Sequence, residues 1–169
     1  MDRLSDGRTG SQPERSKINN FEMIPYVGVG DLKFGMSRQA VRAILGSPTS
    51  SRNSRFSKKV TEYWLENQLQ AVFTSEDGPL SEIVLSRELK DVNLDGSFIF
   101  QKDGPTGRAE LCAKDGSPKV RSGGIFLFNL GIALAEFDNM EEDQRTITAF
   151  DRATWDPTDP RFVDFSGVT

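Results

Sequence analysis

The chain has 169 residues, 36% of them hydrophobic, with 12 Phe, 21 Lys and Arg, 25 Asp and Glu and a net charge of −4. Twelve Phe exclude a disordered chain, and the length suits one domain that buries roughly 70% of its unfolded surface. The single Cys excludes an internal disulfide and a Cys-based zinc site, and the lack of His removes Ser-His-Asp and Cys-His catalysis, His-ligated metals and imidazole proton shuttles.

Residues 1 to 20 mix Asp, Arg, Ser and Gly in no periodic order and lack the apolar stretch of an export signal. A flexible N-terminal tail is expected there, followed by a single domain over 21–169. No run of 18 apolar residues occurs, so no membrane-spanning helix is predicted.

Ser37 reads as a helix N-cap, and Ala40, Val41, Ile44 and Leu45 follow at helical spacing. Gly46 and Pro48 then stop the helix, which the pattern places at Arg38 to Leu45. Residues 49 to 59 (TSSRNSRFSKK) read as a polar, basic loop. Three strands follow, Val60 to Leu65, Leu69 to Thr74 and Leu80 to Ser86, with turns near Glu66-Asn67 and at Glu76-Asp77-Gly78-Pro79; their short spacing predicts an antiparallel meander.

The second half has a similar layout. Val92 to Phe100 ends in the strand-like SFIF, and Pro105 suits the start of a short helix at Arg108 to Ala113. A polar loop, Ser117 to Gly124, precedes strands at Ile125 to Phe128, Gly131 to Phe137 and Arg145 to Phe150. The fold class is α+β, with antiparallel meanders and two short helices. Halves of strand, helix, loop and meander fall at 21–90 and 91–155, and slight residue identity leaves an internal duplication open. The stretch after Trp155 reads as irregular, pinned by Trp155, Phe162 and Phe165.

Charge is unevenly spread. Residues 31 to 60 hold seven bases and one acid; residues 136 to 169 hold nine acids and three bases. The two regions either face each other, face solvent, or offer an acidic end to a basic partner. The acidic balance argues against direct nucleic-acid binding.

The motifs give little chemistry. Gly28-Val29-Gly30 is followed next by Gly35, which fits neither a dinucleotide fingerprint nor a phosphate loop; glycines easing a tight turn explain it. Residues 138–143 (DNMEED) lack the alternation and central Gly of a calcium loop. Cys112 reads as a buried small hydrophobe. No cofactor or metal is implied, and no catalytic residue is assigned.

The run from Gly30 to Pro48 (GDLKFGMSRQAVRAILGSP) resembles a bacterial pattern of strand, G-M-S, amphipathic helix and L-G-x-P. It is similar to the opening of beta-lactamase-inhibitor-like and SmpA/OmlA-type modules, in which helices pack on an antiparallel sheet. Residues 123–134 (GGIFLFNLGIAL) and 145–155 (RTITAFDRATW) resemble small cytoplasmic bacterial immunity-type proteins encoded beside secreted toxins. The lipoprotein members of the SmpA/OmlA group carry an export signal and a lipid-attachment Cys, which this sequence lacks; with the free Cys112, that places the expectation in the cytoplasm.

Three functions compete. The first is a non-catalytic protein-binding role, of immunity type, in which a cognate toxin is the partner and Asp138, Glu141, Glu142, Asp143, Asp156 and Asp159 make the contact by electrostatic steering. The second is an enzyme using carboxylates or a divalent ion, which requires converging acids. The third is a homo-oligomeric scaffold, which requires an exposed apolar sheet face. Neither of the last two has a motif of its own.

Overall fold

A computed structural model describes residues 20–138 and 143–166. Except for Asn20, the expected N-terminal tail lies outside the described residues.

The chain begins with three short strands, β1 (Phe21–Ile24), β2 (Gly28–Val29) and β3 (Leu32–Lys33). Gly28 is held at φ +155, and a Cβ there would lie 1.9 Å from the Leu32 carbonyl oxygen. The glycine-rich motif thus serves close backbone approach in a tight β2–β3 pair.

Helix α1 (Arg38–Leu45) falls where the sequence pattern places it. The Ser37 hydroxyl accepts the Ala40 N–H at 3.0 Å, and Gly46 ends the helix at φ 83. Val41 and Leu45, one turn apart, form its buried stripe. Four strands follow in a meander: β4 (Ser50–Asn53), β5 (Val60–Trp64), β6 (Leu69–Phe73) and β7 (Leu80–Ser86). The basic segment read as a loop therefore contains a strand. Its residues are all exposed, so no apolar alternation marks it.

The second half repeats this order. A hairpin of β8 (Val92–Leu94) and β9 (Ser97–Phe98) leads into a 3-10 turn, Ile99–Gln101. SFIF is thus two elements rather than one strand. Helix α2 (Gly104–Asp115) is longer than its pattern indicated, with Pro105 in its first turn. Then come β10 (Lys119–Arg121), inside the segment read as a polar loop, β11 (Gly124–Leu127), β12 (Ile132–Ala135) and β13 (Thr146–Phe150). The meanders are four-stranded, not three-stranded. A last strand, β14 (Val163–Asp164), lies in the C-terminal segment expected to be irregular.

Two sheets result. One has the order β9-β8-β1-β2-β3, with β1 and β8 parallel. The other has nine strands in the order β14-β10-β11-β12-β13-β7-β6-β5-β4. Its centre is the antiparallel β7–β13 pair, with Val84 opposite Thr148, which joins one meander to the other. This is the α+β class that the sequence predicts.

Strand alternation gives the large sheet two different faces. On the inner face Trp64, Leu69, Ala71, Leu80, Ile83, Leu85, Leu127, Ile132, Leu134, Ile147 and Ala149 join one core with Val41 and Leu45 of α1, Leu111 of α2 and the small sheet. A glutamate also stands on this face. Glu62, between Val60 and Trp64 in alternation, is fully buried. Its Oε2 takes Nη2 of Arg38 and Nη2 of Arg42, each at 2.5 Å, and its Oε1 takes Nε of Arg42 at 3.1 Å. Burial alone would raise this carboxyl, but the hydrogen bonds from Arg42 and Arg38 outweigh it and hold the group below the usual carboxylate range. The two arginines, one helical turn apart, clamp α1 to β5.

The ion triad and the tight β2–β3 pair can both be tested by substitution. The double change Arg38→Ala/Arg42→Ala leaves a buried carboxylate unpaired and should cost about 3–5 kcal/mol in urea unfolding. Because Glu62 titrates lower folded than unfolded, its contribution is present above the unfolded value of roughly 4.3 and is lost as pH falls through the folded value; Glu62→Gln should flatten the acid limb of the stability profile. Gly28→Ala, which drives a methyl into the Leu32 carbonyl, should lower the melting temperature where Gly35→Ala, with open space around it, does so less.

Candidate functional site

The outer face of the nine-stranded sheet is divided. Over β10–β13 it is closed by the C-terminal segment. Phe126, Phe150 and Phe162 are buried there, with Tyr26, Phe128 and Trp155 packed around them. Phe126 meets Phe162 at 4.8 Å and Trp155 at 5.1 Å between centroids, both edge-on. The Arg121 guanidinium lies over both Trp155 and Phe162. Strand β14 pairs with β10 at the sheet's end. Phe165, just past it, joins the inner core beside Arg108. The strap therefore crosses the sheet edge and grips both faces.

Over β4–β7 and the middle of the sheet no described element lies across the outer face. The register sets Thr61 and Tyr63 of β5 beside Gln70 of β6, Val84 and Ser86 of β7, and Thr146 and Thr148 of β13. Each of these residues is part-exposed, whereas their inner-face neighbours are buried. The residues named are uncharged and include one aromatic ring, Tyr63; the Lys59–Glu82 ion pair, two residues from Val84, and Arg52, opposite Thr61, border them on the same face. Such a surface suits contact with another protein, because it combines the Tyr63 ring and Val84 with neutral hydroxyl and amide groups that can hydrogen-bond across an interface. Strand alternation hinted at these positions, but only the β7–β13 register shows that they form one surface.

The six acids proposed from sequence divide differently. Asp138 pairs with Arg108 at the start of the β12–β13 loop. Asp143, at the other end of that loop, receives two bonds of 2.7 Å from Arg145, which hold it below the usual carboxylate range. Asp156 and Asp159 stand apart from these, in the strap. Bonds from Thr158 lower Asp156, and bonds from Arg161 bring Asp159 to about 2. Asp159 also lies 3.7 Å from Arg121. Glu141 and Glu142 lie outside the described residues. The four described acids thus fall in two groups and fix local structure.

Other chemistry-bearing side chains also have structural partners. Asp115, buried at the end of α2, accepts the backbone N–H groups of Ser117, Asn129 and Leu130 and so ties the helix to the β11–β12 turn. Burial pushes the Cys112 thiol up, only partly offset by Arg108. Trp64 is buried and donates its indole N–H to the Gly46 carbonyl at 3.0 Å. Among the described residues no three of His, Cys, Asp and Glu gather as a metal site.

Comparison with known proteins gives one match. Residues 24–75, less than a third of the chain, match the family model described as the outer membrane protein assembly factor BamE domain. The span runs from the end of β1 through α1 to the end of β6, and it bears out the resemblance of the Gly30 to Pro48 run to SmpA/OmlA-type modules. No curated protein and no solved structure matches the chain. The match overturns the expected cytoplasmic location, because the family it points to is one of outer membrane assembly.

Proposed function

We propose that this chain is a non-catalytic protein-binding module whose docking surface is the uncovered part of the nine-stranded sheet. The observation that carries this reading is the difference between the two parts of the outer face: one is sealed by the Trp155–Phe162 strap, and the other presents Tyr63, Gln70, Val84 and Thr148 to solvent. The match to a domain of an assembly factor supports it, since such a factor acts on other proteins. The partner contact is driven by burial of the aromatic and aliphatic centre, with the hydroxyl and amide groups around it making the polar rim.

Neutralisation of a cognate toxin is the finer version of the same role. Its support is the resemblance of residues 123–134 and 145–155 to immunity-type proteins. It differs in using the acids of the β12–β13 loop and the strap, so its association rate would fall steeply with salt.

The test is capture of a partner by the purified chain, repeated with variants. Val84→Arg and Thr148→Arg place a charge at the centre of the face and should weaken capture at least about tenfold with an unchanged melting temperature. If both retain full binding, the sheet-face reading fails. If binding is instead lost when Asp138, Asp143, Asp156 and Asp159 are changed to Asn, the acidic version replaces it.

A further inference from the structure

Charge is satisfied at one end of the large sheet and not at the other. At the β14 end, Lys119 pairs with Asp164 at 2.6 Å, and Arg161 with Asp159 at 2.7 Å. At the β4 end, Arg38 and Arg42 are used by Glu62, and Lys59 by Glu82 at 2.9 Å. Arg52 on β4 and Arg55 in the β4–β5 turn have no acidic partner among the described residues. Lys58 shares a hollow of about 470 Å³ with Glu76 and Asp77 of the next turn. The two ends of the sheet are eight strand spacings apart, about 38 Å. The acids at the β14 end are in any case taken by Lys119, Arg121 and Arg161.

The same hairpin carries two further features. The first is a free backbone edge. Strand β4 pairs only with β5. The Ser54 N–H donates to the Lys59 carbonyl at 2.9 Å, and the register of the pair continues to Arg52 opposite Thr61 and Ser50 opposite Tyr63. With the two-residue period of an antiparallel ladder, Arg52 and Ser50 spend their backbone groups on β5, and Ser51 and Asn53 turn theirs outward. Small polar side chains flank these groups; Pro48 lies before the strand and the one irregularity is at its start, where the Thr49 N–H also reaches the Tyr63 carbonyl at 2.8 Å, so among the described residues no proline or covering element protects Ser51 and Asn53. The second feature is Phe56, 95% exposed. Its turn is ordered, because the Ser54 hydroxyl accepts the backbone N–H groups of Phe56 and Ser57 at 3.1 and 3.2 Å.

We propose that the β4 edge is a second docking surface, which takes an extended acidic segment of another protein as a tenth strand. The segment's backbone pairs with Ser51 and Asn53, its carboxylates meet Arg52 and Arg55, and an apolar side chain packs on Phe56. This surface adjoins the sheet face proposed above, because Arg52 lies opposite Thr61, but it uses the backbone edge and the β4–β5 turn, so changes at Asn53 and Phe56 test it and changes at Val84 and Thr148 test the face.

The probe is a fluorescent eight-residue peptide of alternating glutamate and valine, titrated at low salt against the full chain. Its lysine-for-glutamate counterpart is the control. The expected result is saturable binding of the acidic peptide alone, with amide shifts confined to residues 50–59. Arg52→Glu/Arg55→Glu should weaken it at least tenfold, and Phe56→Ser severalfold. Asn53→Pro removes only an outward N–H and should also weaken binding severalfold, which a purely electrostatic attachment would not show. Val84→Arg should leave it unchanged. Equal binding of both peptides, shifts elsewhere, or insensitivity to Asn53→Pro would overturn the proposal. So would binding of anionic vesicles or a single-stranded oligonucleotide in place of the acidic peptide.

Discussion

The pairing of β7 with β13 is the constraint on which the rest depends. Each meander alone is a four-stranded sheet with one helix, a unit near the lower limit of what a single core can stabilise. The five pairs from Ser86–Thr146 to Glu82–Phe150 fuse them into one sheet with a continuous inner face. That register also decides which side chains are buried. With β7 held by β6, a slip of β13 by one residue would turn Ile147 and Ala149 to solvent and bring Thr148 inward, so the core and the outer surface are set by the same hydrogen bonds.

The two halves meet this constraint with different chemistry. Helix α1 is fastened through a buried ion triad and the Trp64 bond to Gly46. Helix α2 is fastened by close approach and a carboxylate: a Cβ on Gly104 would lie 2.1 Å from the Phe137 carbonyl, and Asp115 gathers three backbone N–H groups. Arg145 adds a buried cation between the rings of Phe100 and Phe137, held by Asp143. These polar groups direct elements to fixed places, which apolar burial alone does less selectively.

What the sequence made legible was local. Capping residues and apolar spacing marked α1 to the residue, and alternation marked β5, β6 and β7. Strand β4 escaped because it is an exposed edge strand with no apolar period, and β10 because its three residues, Lys119–Arg121, are all half-buried and carry no alternation either. SFIF misled because Asp95 and Gly96, both at positive φ, turn the chain before it, and the apolar run then tightens into a 3-10 turn. The Glu62 triad had a readable signal that composition hid: a glutamate flanked in alternation by Val60 and Trp64, with two arginines four residues apart on the preceding helix. The open face had none, since it exists only through pairing between residues some sixty positions apart.

The strap that wraps the β14 end has a consequence for aggregation. An open sheet with two free edges can grow copy upon copy, because each added strand presents a new edge. Here one margin is folded over, with Phe162 gripping one face and Phe165 the other, and its last strand is only two residues long. A copy landing on the β4 margin would find no matching ladder at the far side to hand on. With only two residues of ladder on offer at that end, head-to-tail stacking into a fibre has little to grow on.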